Sequence, residues 1–520
     1  MKKLFYILIL FVADAQAQLN KMIADTAFYY TYGGVNFDEA RDIKETPDKG
    51  YVLAGTTASF GPGQTSFYLI KTDSLGNHVW SSVQGGPQND WAYTVQVTPD
   101  SGIFAAGFSN SFDPTGNNKY SAYYVKTDKN GQLLWQKTVY TSDFSFVYGS
   151  CALPDSGFIL CGKTYANSNG GTDAYLIRIN KNGDTLWTHH YGGMEDETFN
   201  SVCLMNNKLY AAGSNATHPT DTASDGWIVK LNLNGTLLKD TFIAFDTSTI
   251  HPLHYQETLN CVSPFSNTSL NICGSTYINN SVDTNVTNGI LTRIDTSLHI
   301  TNSPQNIPSG SKNTIITFNK VFNISQGRIC LIGTRNGGLG GLGMFFAEFD
   351  LYTNYIPNYL FVAGGSSDEY GYSGIYSSAG KLIGVGSTLS YGAGSEDAFL
   401  VRFDSDSINN SAITHFIQNN FTDNLYLSPA SIKNYTNDLK VSLYPNPSSG
   451  KIQVQITGNE QKTYTITVYG ILGAEVYSST VQTDNTNPFD LSFLNAGSYF
   501  LKIQNSNSEI IATMKFIISK

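Results

Sequence analysis

The chain has 520 residues, of which 13% are aromatic and only 14% charged, with 48 Gly, 32 Tyr and 30 Phe. At about three times a typical domain of roughly 150 residues, it must hold several units or one large repetitive one; low charge with many aromatics also excludes a disordered acidic chain. Its 31 basic and 41 acidic residues give a net charge of −10, which argues against nucleic acid, whose binding needs a Lys/Arg surplus, and against a polybasic membrane-surface patch.

The N-terminus starts Met1-Lys2-Lys3, runs apolar from Leu4 to Val12 and leaves through Ala15-Gln16-Ala17. A basic start, a short apolar run and a small-residue exit make a signal peptide, 1–17, cleaved after Ala17. The run is far shorter than the about 20 residues a bilayer span needs. No later segment reads as a transmembrane helix, so the exported chain is expected to be soluble. Phe28-Tyr29-Tyr30-Thr31-Tyr32-Gly33-Gly34 then matches His189-His190-Tyr191-Gly192-Gly193, the end of a repeat described below, although no repeat precedes it. It is expected to pair with the last repeat around Phe399 to Asp404 and so leave no exposed edge.

From there to Asp404 two markers recur with a period of about 55 residues. A small or apolar residue followed by Gly ends a β-rich run at Gly55, Gly107, Gly162, Gly213, Gly274, Gly333 and Gly386. An apolar run closing on Asp or Asn follows at Asp73, Asp128, Asn180, Asn232, Asp295, Asp350 and Asp404. Each repeat divides into four short strands; in the first copy these are Glu39 to Thr46, Gly50 to Thr57, Phe67 to Thr72 and His78 to Gln84. Pro47-Asp48-Lys49-Gly50 and its equivalents close the first hairpin, with Gly expected to take the positive φ, and Asp73-Ser74-Leu75-Gly76 and its equivalents close the second. Four antiparallel strands repeated seven times predict an all-β chain with a seven-bladed β-propeller over 18–404. Trp80, Trp135 and Trp187 read as blade-packing residues of the fourth strands.

Six cysteines lie within the repeats. Cys161 and Cys273 fill a slot held elsewhere by Ala54, Ala106 and Ala212, which suits small core residues. Cys151 with Cys161, or Cys261 with Cys273, could form a disulfide if the register opposes them. His189-His190 and His251-Pro252-Leu253-His254 offer ligand atoms without metal-site spacing, the Asp-rich turns lack calcium-loop spacing, and no cofactor or metal is expected; a bound cation such as calcium has no motif behind it.

The tight turns fall on one face of the predicted ring, and the long second-to-third loops, such as Asn110 to Ser121 and Leu389 to Asp397, on the other. That loop-rich face is the expected site. Asp38, Asp90, Glu197 and Glu369 start first strands there, each four residues after Gly-Gly. They could ring the mouth of the channel and bind a cation or sugar hydroxyls, or simply bond to nearby backbone. No Gly-x-Ser-x-Gly, His-Glu-x-x-His or Walker loop occurs, so the sequence leans away from an enzyme and names no catalytic residue.

The stretch Tyr30-Thr31-Tyr32-Gly33-Gly34-Val35-Asn36-Phe37-Asp38, followed by Gly50-Tyr51-Val52-Leu53-Ala54-Gly55-Thr56-Thr57, resembles the SBBP β-propeller repeat of exported bacterial proteins. That resemblance implies the fold and no chemistry, and it fades in repeats five and six, where Gly-Gly is lost. An Asn/Ser-rich stretch, 405–438, reads as a linker. After it, Leu443-Tyr444-Pro445-Asn446-Pro447-Ser448-Ser449-Gly450, Val468-Tyr469-Gly470 and Asn495-Ala496-Gly497-Ser498-Tyr499 resemble the C-terminal sorting domain of the type IX secretion system of Bacteroidota. The resemblance implies that 439–520 form a small Ig-like β-sandwich read by the secretion translocon, with Tyr444, Pro445, Asn446, Pro447, Gly450 and Gly497 carrying the motif, and that the protein is secreted or held at the cell surface. Together these features predict an exported, non-catalytic binding or adhesion module for an unknown glycan or protein. An extracellular polysaccharide hydrolase or lyase, or a passive surface scaffold, are the alternatives.

Overall fold

A computed structural model describes residues 27–519 apart from 169, 217–223, 244–253, 280–285, 308–314, 325–326, 337–340, 351–354, 405–416, 420–439, 445–447, 458–462, 471–474, 483–485 and 505–509. The expected signal peptide lies outside the described residues, as do most of the expected linker and Pro445-Asn446-Pro447 of the sorting motif. The chain divides into two compact units, Met1–Ser428 and Pro429–Lys520.

In the first unit, seven antiparallel sheets follow one another along the chain. Sheet 1 joins Asp38–Glu45, Tyr51–Thr57, Ser66–Thr72 and His78–Gln84. The innermost strands of sheets 2 to 7 are Asp90–Val97, Ser145–Ala152, Glu197–Met205, His254–Pro264, Ile316–Asn323 and Glu369–Tyr376. Each sheet packs on the next, and the first packs on the seventh, closing a propeller. The second and third strands are buried on both faces, and this accounts for their unbroken apolar runs. Ala27–Tyr32 pairs antiparallel with Asp397–Asp404, as expected, completing sheet 7 from the other end of the chain. Ile417–Asn419, inside the stretch read as a linker, adds a parallel fifth strand.

The marker glycines have a physical cause that lies in the inner strands. Every inner strand carries a β-bulge, and the extra residue is Arg41, Tyr93, Tyr148, Asn200, Asn260, Asn319 or Tyr372 in sheets 1 to 7. The marker glycine sits opposite, beside the bulge. A Cβ at Gly55 would collide with the carbonyl oxygen of Glu39, one at Gly107 with that of Trp91, and one at Gly274 with that of Thr258. Only glycine tolerates so close a backbone.

The first-hairpin turns correct one expectation. Positive φ falls on Lys49, Ser101 and Ser156, not on the following glycines. Gly50, Gly102 and Gly157 are needed because a side chain there would meet the carbonyls of Thr72, Thr127 and Ile179. The second-hairpin glycines Gly76, Gly131, Gly183 and Gly235 do take positive φ. Trp80 and Trp135 pack over Gly131 and Gly183 of the following sheet's turn, and Trp187 over Gly235, a packing role for all three.

All six cysteines are free thiols. Cys161 lies opposite Gly149 and Cys151 opposite Ile159, so that pair is out of register, whereas Cys261 lies directly opposite Cys273.

The second unit pairs a three-stranded sheet (Lys440–Tyr444, Lys451–Thr457, Thr486–Asp490) with a four-stranded one (Glu475–Gln482, Thr463–Gly470, Gly497–Gln504, Ile510–Ile518). Ile452, Val454, Ile466, Val468, Leu501, Ile503 and Phe516 fill the core between them. Gly450 has φ +103, and a side chain there would meet the backbone of Ser492. Tyr444 ends its strand, and Gly497 begins one against Ile518.

Candidate functional site

The four strand-start acids belong to four different sheets and do not converge. Asp38, Asp90, Glu197 and Glu369 are all buried. Each accepts a hydrogen bond from the second glycine of its own Gly-Gly: Gly34 N to Asp38 Oδ2, Gly86 N to Asp90 Oδ2, Gly193 N to Glu197 Oε2 and Gly365 N to Glu369 Oε2, all at 2.8 Å. Hydroxyls of the long loops and second strands add to this, with Ser59 Oγ 2.6 Å from Asp38, Ser111 Oγ 3.0 Å from Asp90 and Thr388 Oγ1 2.9 Å from Glu369. The first glycine leaves room for the carboxylate itself: a Cβ at Gly33, Gly85, Gly192 or Gly364 would collide with it. The Gly-Gly-x-x-x-acid spacing is therefore a turn lock joining successive sheets.

Burial raises the pKa of Asp38, Asp90 and Glu369. Asp397, which starts the third strand of sheet 7 and shares the space around Gly33 with Asp38, is pushed up to about 6 by burial and by the Asp38 charge. Glu257, opposite Thr276 in sheet 5, holds the equivalent position without a Gly-Gly, so the spacing from Gly-Gly does not reveal it. His189 Nε2 lies 3.1 Å from the Asn234 carbonyl, and His190 packs edge-on against Tyr175; His251 lies outside the described residues.

The cavity lies elsewhere, in the central channel. It has a volume of about 540 Å³ and takes wall residues from all seven inner strands, from the level of the bulges towards the strand ends at Lys44, Gln96 and Pro264. This is within the roughly 300–1,000 Å³ of small-molecule sites. The seven bulge residues are half-buried and form one ring of two arcs. In the first arc, the Arg41 guanidinium lies 4.0 Å over the Tyr372 ring and 5.1 Å from the Tyr93 ring, and Tyr93 packs edge-on against Tyr148 at 5.3 Å. Arg41 is also 2.7 Å from Glu39. In the second arc, each amide donates to the inner strand of the next sheet: Asn200 Nδ2 to Leu259 O at 3.1 Å, Asn260 Nδ2 to Phe318 O at 3.0 Å and Asn319 Nδ2 to Gly371 O at 2.6 Å.

Beyond the bulge, Asp42 is held by Lys44 Nζ at 3.0 Å, the Val95 amide at 3.1 Å and Ser373 Oγ at 2.8 Å. Burial alone would raise its pKa; Lys44, Lys320 and these hydrogen bonds overcome that and bring it down to about 2. Thr94, Ser150 and Gln96 form a further hydrogen-bonded set on the same wall. Lys320 lies near Asp42 and the thiols of Cys203, Cys261 and Cys273, whose negative potential raises its pKa against the opposing effect of burial. A hydrogen bond with Cys273 and the Lys320 charge draw Cys261 down to about 6, while burial pushes Cys273 well up.

Apart from the cysteines, none of these channel residues stood out in the sequence, although a signal exists. Arg41, Tyr93 and Tyr148 each stand fourteen positions before Gly55, Gly107 and Gly162, and Asn260, Asn319 and Tyr372 keep the same spacing from Gly274, Gly333 and Gly386. Aligning the repeats on that glycine brings six of the seven ring residues into one column, with Asn200 one position off at thirteen before Gly213.

Residues 442–519 match the secretion system C-terminal sorting domain, and residues 379–407 match a β-propeller domain of unknown function, DUF5122. No curated protein matches the chain. Among solved structures, it is similar to Raptor from Chaetomium thermophilum (8% identity, 74% of this chain and 30% of that one, TM-score 0.41). It is also similar to an α-L-arabinanase from Penicillium chrysogenum complexed with arabinobiose (12%, 60% and 92%, TM-score 0.39) and to the β-propeller domain of the Trilobed protease from Pyrococcus furiosus (8%, 69% and 92%, TM-score 0.35). The chain thus carries a β-propeller and a type IX sorting domain, and that domain marks it for export to the cell surface or beyond.

Proposed function

We propose that this exported protein is a non-catalytic binding module that holds a glycan in the central channel of its propeller. In this reading 1–17 are a leader, 18–404 the binding ring and 439–520 the segment that engages the secretion translocon. The observation that carries it is the ring of bulge residues. Tyr372, Tyr93 and Tyr148 offer aromatic faces on which a pyranose can stack, while amides, hydroxyls and charged groups on the same wall can meet its hydroxyls.

Hydrolysis is the weaker reading. A glycosidase needs two carboxyl groups roughly 5 to 9.5 Å apart, one of them protonated near neutral pH. Asp42 is the one acid on the cavity wall among the described residues, and at about 2 it cannot serve as the proton donor.

A glycan array with the purified chain, followed by a reducing-end assay on every hit, tests the proposal. Binding without new reducing ends is the expected result, and it should be weakened in Tyr148→Ala. New reducing ends would establish a hydrolase or lyase, and silence on both assays would leave the scaffold reading.

A further inference from the structure

The charges in the channel do not cancel. Arg41 is paired with Glu39 at 2.7 Å and Lys44 with Asp42 at 3.0 Å. Lys320, on the same wall, has neither an ion pair nor a hydrogen bond to its ammonium among the described residues. While Cys261 is protonated, below its value of about 6, the cavity therefore carries one surplus positive charge inside a chain whose net charge is −10. A positive charge within low-dielectric walls concentrates anions locally even when the protein as a whole repels them.

We propose that the channel selects a negatively charged sugar, a uronate, whose carboxylate is bound by Lys320 while its ring lies against the tyrosine arc. The proposal rests on the reading of the channel as a glycan site. Asp42 leaves room for it, because Lys44, Ser373 and the Val95 amide already occupy that carboxylate. The other groups facing Lys320 are the Lys44 ammonium, which Asp42 already neutralises, and the thiols of Cys203, Cys261 and Cys273, which carry no charge while protonated. A sulfate ester on a sugar presents the same single negative charge, so the test must separate the two sources.

Isothermal titration of the full chain at pH 5.5 does so. There Cys261, drawn to about 6, is protonated, while a uronate with a pKa of about 3.5 remains charged. The probes are trigalacturonate, its methyl ester and a galactose trisaccharide bearing one sulfate per residue. Trigalacturonate should bind at least about tenfold more tightly than its ester, as a charge-assisted hydrogen bond implies, and more tightly than the sulfated sugar. Lys320→Gln should abolish the preference, so that acid and ester bind equally well to the variant; Lys320→Arg should restore it.

Equal affinity for acid and ester, an undiminished preference in Lys320→Gln, or tighter binding of the sulfated sugar would each overturn the proposal while the glycan reading stands. Failure of the wild-type chain to bind any of the three, or any hit from the array, would remove the glycan reading and the proposal with it.

Discussion

Two halves of one channel wall meet the same geometric demand with different side chains. Sheets 4, 5 and 6 carry Thr198, Thr258 and Thr317 on the inner strand and, two residues on, Asn200, Asn260 and Asn319 at the bulge. Sheets 7, 2 and 3 carry Tyr370, Trp91 and Phe146, then Tyr372, Tyr93 and Tyr148, and sheet 1 carries Glu39 and Arg41. The backbone is the same in all seven. What differs is where each side chain makes its bonds. A short amide reaches the neighbouring carbonyl and closes the joint between sheets, so its polarity is satisfied within the protein. A tyrosine cannot make that bond; its ring stands against the next ring, with Arg41 between two of them. One arc therefore fastens the ring, and the other presents faces to whatever enters.

The largest effect should come where the aromatic arc hides an ion pair. Glu39 is fully buried beside Arg41, so Arg41→Ala leaves an uncompensated buried carboxylate and should cost about 3–5 kcal/mol, read as a fall in the urea midpoint. Arg41→Ala with Glu39→Gln should recover most of that loss. A double variant as unstable as the single one would show that stacking on Tyr372 and Tyr93, not charge, holds this joint.

A second contrast sets the arcs against each other. Asn260→Leu removes the bond to the Phe318 carbonyl and should destabilise by about 1–3 kcal/mol, with bound glycan, once saturating, still released at the wild-type rate. Tyr148→Leu should do the reverse, with a smaller change in the urea midpoint and a glycan affinity reduced about fivefold, since one stacked ring contributes about 1 kcal/mol. If both variants lost stability and affinity together, the division of labour between the arcs would be wrong.

The architecture was legible because repetition amplifies weak signals: seven copies of a marker glycine and of a turn Asp or Asn stand out even in a chain with little local pattern. The closing strand was legible for the same reason, since Phe28 to Gly34 copies a fourth strand that has no first. The site was not, because its residues differ between copies, and self-comparison searches for sameness. Asp38, Asp90, Glu197 and Glu369 recur and so attracted attention, yet recurrence there reflects a turn lock required in every copy that has a Gly-Gly. Arg41, Lys320 and the tyrosines occur once or in one arc only, and a bulge becomes visible only when two strands are paired.

The smallest expected effect distinguishes the acid on the channel wall from the acid beside the turn lock, and it appears in the pH dependence of stability. Asp42 is depressed to about 2 in the folded chain against an ordinary value near 3.8. Between those values the unfolded chain binds more protons, so Asp42 contributes stability that is present above pH 4 and is lost as the pH falls through about 2. Asp397 is raised to about 6. The folded chain then holds the extra proton, and its contribution is present below pH 4 and lost as the pH rises through 6. Asp42→Asn should therefore reduce the slope of the urea-midpoint profile below pH 4 and leave the pH 4–6 limb unchanged, whereas Asp397→Asn should reduce the fall between pH 4 and 6 and leave the acid limb intact. The same limb flattened by both variants would mean that the two acids titrate as one coupled set through Asp38, and that the turn lock and the channel wall are electrostatically a single site.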